Sequence, residues 1–161
     1  MKRSFRIGFC FGLTSGIVTT LGLMVGLHSS THGAHTKLII IGGILTIALA
    51  DSLSEALGIH ISQKAENIAN KKEVWEATIY TLISKFIFSS IFIIPVLLLR
   101  LNTAIMISIM VGMYLIMVLS IAIARERNEK PWKVVTEHIG ICCIVIILTH
   151  HVGQWIHLVF G

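Results

Sequence analysis

Charged residues are scarce in this 161-residue sequence, at 13% of the chain. An ordinary soluble domain carries about 25%, whereas hydrophobic residues here make up 55%. The mean hydropathy is +0.86. These values exclude a soluble globular protein and indicate an integral membrane protein.

Cysteines and catalytic motifs are also sparse. The three cysteines are Cys10, Cys142 and Cys143. The last two are adjacent and the first lies in another apolar run, so we expect no disulfide framework. No His-Glu-x-x-His pattern and no nucleophile–base set is present. We therefore predict that the protein is not an enzyme and holds no permanently bound cofactor.

Five apolar runs are long enough to cross a bilayer, which takes about 20 helical residues. They predict one all-α domain over residues 1–161, with helices over 4–27, 38–63, 75–99, 103–124 and 134–158. The first run follows basic residues, as in a signal peptide. It is too long and glycine-rich for one and lacks a convincing cleavage site, so we predict a retained helix.

Basic residues are distributed unevenly between the predicted loops. One side of the membrane receives Lys2, Arg3, Arg6, Lys64, Lys71, Lys72, Arg125, Arg127, Lys130 and Lys133. The other side receives only Lys37 and Arg100. The positive-inside rule then places the N-terminus in the cytoplasm and the C-terminus on the opposite side. The basic residues that produce the net charge of +5 lie between apolar runs, where they set the orientation in the membrane. We therefore expect membrane lipid as a partner and no binding of nucleic acid.

Two carboxylates, Asp51 and Glu55, interrupt the second apolar run. A charge at the centre of a membrane helix costs at least ~2.5–3.5 kcal/mol, so such groups usually line a route or face a partner. Being four residues apart, they share a helix face. At about 100° per residue, the same stripe includes Ser54, Gly58, Ser62 and Glu66. It predicts a hydrated path from mid-membrane to the end of the helix.

Lys85 lies at a comparable depth in the third run and leaves two interpretations of the carboxylates open. They can form a structural ion pair with Lys85, since a buried charge requires an opposite partner. Alternatively, their oxygens can replace the hydration water of a divalent cation and hold a proton when the ion leaves. Lys85 is then a counter-charge that keeps the empty site tolerable.

Small residues give the first helix one broad face, formed by Gly8, Gly12, Ser15, Gly16, Thr19, Gly22 and Gly26. Such spacing lets helix backbones approach closely. It also suits the wall of a pore. A path on a dimer axis would combine the two interpretations.

Histidine and methionine are unevenly placed. The histidines near the predicted non-cytoplasmic face are His28, His32, His35, His150, His151 and His157. Imidazole is a common metal ligand, so these histidines either bind metal at the entrance or exit of a path or are simply solvated side chains.

The methionine stripe of the fourth helix, Met106, Met110, Met113 and Met117, either fills packing gaps or supplies soft thioether ligands.

Three stretches resemble the vacuolar iron transporter (VIT) family, which includes the yeast calcium/manganese cross-complementing transporters. They are GLTSGIVTTLGLMVGL at 12–27, ADSLSEALGIHISQKAE at 50–66 and LTHHVGQWI at 148–156. The second stretch is the specific match. The resemblance implies a homodimer of five-helix protomers, whose first helices line a path that moves Fe²⁺ or Mn²⁺ out of the cytoplasm in exchange for protons.

The chain departs from this family in two residues and one segment. Ser15 stands where the family has a first-helix aspartate, and Glu55 stands where many members have a methionine. The acidic residue of the predicted path therefore lies in helix two instead of helix one, as in an archaeal and bacterial subgroup of the family. The resemblance to this subgroup implies a prokaryotic plasma membrane. The long cytoplasmic metal-binding insert of larger members is absent.

We therefore predict a homodimeric transporter of Fe²⁺ or Mn²⁺ that is coupled to protons. The predicted metal contacts are Asp51, Glu55, Ser15 and, at the cytoplasmic mouth, Glu66. The predicted path-lining residues are Gly12, Gly16, Thr19, Ser54, Gly58 and Ser62. Two alternatives remain open: a proton-coupled exporter of small organic cations and a non-transporting membrane scaffold. An aromatic content of 7% offers the exporter little cation–π contact.

Overall fold

The computed structural model describes residues 3–66 and 70–161. Within these ranges the chain is helical, and the helices long and apolar enough to span a membrane are Arg3–Ser30, Thr36–Ala65, Lys71–Leu98, Leu101–Glu126 and Pro131–Phe160. The prediction of an all-α chain with five apolar spans is confirmed. Lys2, which the topology prediction includes, and residues 67–69 of the second connection lie outside the described residues.

Two of the five spans are built from more than one helical segment. The elements are α1 (Arg3–Ser30), α2 (Thr36–Thr46), a π-helical turn (Ile47–Asp51), α3 (Ser52–Ala65), α4 (Lys71–Ser90), α5 (Ile93–Leu98), α6 (Leu101–Glu126) and α7 (Pro131–Phe160). The second span therefore consists of α2, the π turn and α3. The third consists of α4 and α5.

The interruption of the third span lies four residues before Pro95, where the sequence predicts a continuous helix. Proline has no N–H to donate to the carbonyl of Ile91, and its ring crowds that carbonyl. The N–H of Ile94 bonds to the Ile91 oxygen instead, at 3.2 Å. The helix resumes at Ile93 and ends at Leu98.

Consecutive spans alternate in direction, and contacts at both ends of the bundle fix this arrangement. At one end Ser4 Oγ donates a hydrogen bond to Glu76 Oε2 at 2.8 Å, and Arg6 forms an ion pair with Glu126. At the other end Lys37 Nζ donates to the carbonyl oxygen of Leu97 at 3.0 Å. The segments predicted to be cytoplasmic thus lie together at one end of the described structure.

The helix α1 is central and packs chiefly against α4 and α7. Its glycines make the approach to α4 close: a Cβ on Gly8 would lie 2.5 Å from the carbonyl oxygen of Ala77. The hydroxyl of Ser84 donates to the Phe9 carbonyl at 3.0 Å across the same interface. Buried apolar side chains, including Ile17, continue the core toward the other helices.

The outer surface of the second span carries a row of exposed aliphatic side chains. At four-residue spacing these are Leu45, Leu49, Leu53, Leu57 and Ile61. On a soluble protein such a row would expose a large apolar patch to water, which is unfavourable, but in a membrane it suits contact with lipid tails. The methionine stripe of α6 divides between two environments, since Met106 and Met110 are exposed while Met113 packs against the core.

Candidate functional site

Asp51, Glu55 and Lys85 form an ion triad between the second and third spans. The Lys85 Nζ lies 2.5 Å from Asp51 Oδ2 and 2.5 Å from Glu55 Oε1. Ser15 of α1 joins the triad through its Oγ, which accepts a hydrogen bond from Lys85 Nζ at 2.9 Å. The same hydroxyl donates to Glu55 Oε1 at 2.5 Å. Three spans therefore converge on one ammonium group.

The two carboxylates are placed by the π turn and the helix that follows it. Asp51 is the last residue of the turn, and Glu55 lies in the first turn of α3. A π-helical turn has a wider i→i+5 repeat than an α-helix, and such turns occur frequently at functional sites. The side chains of both residues are half-buried, while Leu53 between them is exposed. The carboxylates therefore lie on the α4-facing side of the span.

Lys85 is held by the close approach of α4 to α1. A Cβ on Gly12 would lie 2.9 Å from the Lys85 backbone nitrogen, and one on Gly16 would lie 3.0 Å from its carbonyl oxygen. The hydroxyl of Ser89 donates to the Gly16 carbonyl at 3.3 Å. Because α1 has no side chains at these two positions, the Lys85 backbone lies directly against it, next to Ser15.

The triad lies near the middle of the bundle. At a rise of 1.5 Å per residue, Asp51 is about 22 Å from Thr36 and about 21 Å from Ala65 along the second span. By the same rise, Lys85 is about 21 Å from Lys71 and about 20 Å from Leu98. Since the hydrocarbon core of a bilayer is about 30 Å thick, these charges would lie deep within it.

The triad is unequally exposed and has an excess of negative charge. The Lys85 side chain is 0% exposed, while those of Asp51 and Glu55 are 35% and 22% exposed. Two carboxylates and one ammonium leave a formal charge of −1 when all three are ionised. Among the described residues, the buried Oε2 of Glu55 has no hydrogen-bond partner. One added proton would neutralise the triad, a divalent cation would reverse the sign of its charge, and either could satisfy this oxygen.

The donor set is too small for a resident structural metal. The described residues contain no group of three or more His, Cys, Asp or Glu side chains arranged to hold a metal ion. The triad offers two carboxylates and the Ser15 hydroxyl, all of which are oxygen donors. Oxygen donors suit hard divalent cations that keep part of their hydration shell.

Of the path-lining residues predicted on α1, two lie in a packed interface. Gly12 and Gly16 are buried against α4, which favours the close-packing interpretation for both. Thr19 is half-buried, and its Oγ1 donates to the Ser15 carbonyl at 2.7 Å. It also lines an apolar cleft of about 480 Å³ between α1 and α7.

The predicted path residues of α3 lie on the outer surface of the protomer. Ser54, Gly58, Ser62 and Glu66 are all exposed, and a Cβ on Gly58 would meet nothing within 4 Å. Glu66 is about 16 Å from Glu55 along the helix axis, at 1.5 Å per residue. The structure therefore does not bring Glu66 to the triad. Within one protomer, this stripe faces outward.

Sequence analysis missed two residues of a second polar cluster. Ser29 and Gln154 line a cleft together with His28, His32, His150 and His157, at the end of α1 and α7 that contains Ser30. The only available signal was spacing, because Gln154 is one helical turn after His150. That signal has no value until α1 and α7 are known to be neighbours.

No family model, curated protein or solved structure matches this chain. The resemblance to the vacuolar iron transporter family therefore stays a prediction from the sequence. A function for the protein rests on the geometry of the ion triad and its surroundings.

Proposed function

We propose that this protein transports a divalent metal cation, Fe²⁺ or Mn²⁺, out of the cytoplasm in exchange for protons. The observation that supports this most directly is the Glu55 Oε2 atom, a buried acceptor in a triad of net negative charge that has no hydrogen-bond partner within residues 3–66 and 70–161. A buried acceptor of this kind costs about 1–3 kcal/mol. Binding of a proton or a cation there would recover that energy.

Lys85 takes the place that a transported cation would occupy. Its ammonium lies between the two carboxylates, at 2.5 Å from an oxygen of each. Like charges repel, so a metal ion can enter only when this ammonium withdraws or loses its proton. The carboxylates would then hold either the ammonium, together with protons on Asp51 and Glu55, or the metal ion. This alternation would couple metal movement to proton movement.

Ser15 would maintain the geometry of the site both when the Lys85 ammonium lies between the carboxylates and when the metal ion is bound. Its hydroxyl bonds to both Lys85 and Glu55, so it orients Glu55 Oε1 toward the centre of the triad. When the ammonium withdraws, the same hydroxyl oxygen is free to contact the cation. It would be a neutral ligand beside two charged ones.

The choice of ion follows from the donor atoms. Carboxylate, hydroxyl and water oxygens suit Mn²⁺ and, less selectively, Fe²⁺. Three protein oxygens leave room for water ligands, which a transported ion can exchange as it leaves. Asp51 is partly exposed on the protomer surface. In the predicted homodimer, a second protomer packed against this surface would supply further donors to the ion.

The test is metal flux into proteoliposomes driven by a pH step, with Fe²⁺, Mn²⁺, Ca²⁺ and Zn²⁺ compared side by side. We expect wild-type protein to carry Fe²⁺ or Mn²⁺ and the variants Glu55→Gln and Asp51→Asn to lose pH-driven flux. Each substitution leaves one carboxylate to pair with Lys85, so the protein should stay folded.

Glu73→Gln is the matched control, since it removes an exposed carboxylate at the start of α4, far from the triad. We expect it to retain flux. Flux at the wild-type rate in both triad variants would contradict the proposed role of the carboxylates.

A scaffold is the competing function, and the complete burial of Lys85 favours it. In that case the triad is a permanent ion pair that fixes the packing of three spans. A scaffold would show no metal flux in the wild-type protein under any pH gradient. Its triad variants would change stability alone.

A further inference from the structure

Four histidines gather at the end of the bundle where α1 ends and α2 begins. They line a cleft of about 440 Å³ together with Ser29 and Gln154. His28 belongs to the last turn of α1, and His32 lies in the loop after it. On α7, His150, Gln154 and His157 follow at intervals of four and three residues, which places them on one helix face.

Close packing of α1 against α7 brings the two sets of histidines together. A Cβ on Gly153 would lie 2.4 Å from the carbonyl oxygen of Gly26, so the two backbones are in contact beside the cleft. Across it, the ring centroids of His32 and His157 are 4.3 Å apart. One ring from the loop after α1 and one from α7 are therefore already in contact.

Two nitrogen atoms of the cluster indicate a ligand. The hydroxyl of Ser29 bonds to His150 Nδ1 at 2.6 Å, which orients that ring and, in the part of the chain that the structure describes, leaves its Nε2 without a hydrogen bond. Metal-binding histidines are characteristically held through their other nitrogen in this manner. In addition, His28 Nδ1 is buried and has no hydrogen-bond partner among the described residues.

We propose that this histidine cleft binds a divalent transition-metal ion of the imidazole-preferring class, such as Zn²⁺, Co²⁺ or Ni²⁺. The described residues contain no preformed set of three metal-coordinating side chains, so binding must turn some of the rings. His32 lies in a loop and is exposed, which leaves its side chain free to rotate toward His157. Gln154 can supply an additional oxygen.

This site is separate from the ion triad in place and in chemistry. His28 is about 20 Å from Ser15 along α1, at 1.5 Å per residue. Its donors are imidazole nitrogens, which favour Zn²⁺, Ni²⁺ and Cu²⁺, whereas the triad offers oxygens. The proposal does not depend on transport, since binding can be measured on protein at rest.

The experiment is Co²⁺ and Zn²⁺ titration of the purified, chelator-treated full chain in detergent, followed by visible absorption and calorimetry. We expect wild-type protein to bind one ion that the double variant His32→Gln/His157→Gln fails to bind. Ser29→Ala should retain the site with an affinity lower by about 10–100-fold, because it removes the contact that orients His150.

The control double variant His35→Gln/His151→Gln removes two histidines from the same end of the molecule that do not line the cleft. We expect it to bind as the wild type does. Equal loss in both double variants, or no loss in either, would overturn the proposal.

The titration is repeated on Glu55→Gln, so that any ion held at the triad is recognised. Zinc binding that persists in Glu55→Gln and disappears in His32→Gln/His157→Gln supports the cleft whether or not the protein transports metal. Absence of zinc binding alongside flux that depends on Glu55 would overturn the cleft alone.

Discussion

Lys85 places a fully buried ammonium group between two carboxylates in the middle of the bundle. Removing such a charge from water costs several kcal/mol, and attraction to the carboxylates offsets that cost. Removal of the ammonium leaves two carboxylates without compensation. The stability of this region therefore depends on the balance of charge among three residues.

We expect Lys85→Met to lower the free energy of unfolding by about 3–5 kcal/mol, the usual effect of breaking a buried ion pair. In an Asp51→Asn/Glu55→Gln background, the same substitution should be neutral or stabilising, since it removes an unpaired buried charge. Unfolding in detergent, followed by circular dichroism, measures both effects. An equal loss in the two backgrounds would mean that the ion pairs with Asp51 and Glu55 do not account for the contribution of Lys85 to stability.

Some of this arrangement could be predicted from the sequence and some could not. The shared face of Asp51 and Glu55 follows from their spacing, and Lys85 lies at matching depth in a run of similar length. The family resemblance, and not the spacing of the residues, implied that Ser15 of the first helix contacts the same ion as the carboxylates. The sequence could not show that one hydroxyl bonds to both Lys85 and Glu55, or that one Glu55 oxygen lacks a hydrogen-bond partner in the described structure, because such contacts depend on the exact separation of three helices.

The α1–α4 interface depends on residues that have no side chain. A Cβ on Gly12 would lie 2.7 Å from the Thr81 carbonyl oxygen, which belongs to the backbone and cannot move alone. One on Gly58 would meet nothing within 4 Å. These two glycines form a matched pair, because both lie inside helices and only one is in a tight contact.

We expect Gly12→Ala to destabilise the protein by about 1–3 kcal/mol, as overpacking typically does. Gly58→Ala should leave stability unchanged or raise it slightly, because alanine favours helix by about 1 kcal/mol over glycine. The measurement is the detergent unfolding transition of each variant. Similar losses in both would mean that the tight α1–α4 contact is not what makes Gly12→Ala destabilising.

The helical elements were predictable to different degrees. Five spans follow from five apolar runs, since a lipid-exposed segment must satisfy its own backbone hydrogen bonds. The π turn at Ile47–Asp51 leaves no signal in composition, because α and π turns accept the same residues. The interruption before Pro95 had a visible cause, yet a membrane helix can also continue through a proline with only a kink. The adjacency of α1 and α7, on which the histidine cleft depends, requires the fold itself.

The whole molecule presents one outer face of unusual composition. Small residues recur every four positions along the second span and are exposed: Gly42, Thr46, Ala50, Ser54, Gly58 and Ser62. Small-residue rows of this kind let two membrane helices pack closely. They lie beside the half-buried carboxylates, so association of two protomers through this face would enclose the ion triads.

We expect Gly58→Leu to shift the protein from dimer to monomer, because a large side chain would hold two such faces apart. Leu57→Phe, on the neighbouring aliphatic row, is the control and should leave the oligomeric state unchanged. The oligomeric state is measured by light scattering in detergent and by cross-linking in membranes. A wild-type protein that is monomeric in both assays would contradict the predicted homodimer.

The two carboxylates that share one ammonium would also limit the electrical consequence of the proposed exchange of metal for protons. If Lys85 keeps its proton, a bound divalent ion raises the charge of the triad from −1 to +1, and two protons on Asp51 and Glu55 produce the same +1. Trading one ion for two protons would therefore move no net charge, and the membrane voltage would neither drive nor oppose it. Release of a third proton by Lys85 would make each cycle electrogenic, with a contribution of about 2.3 kcal/mol per charge at 100 mV.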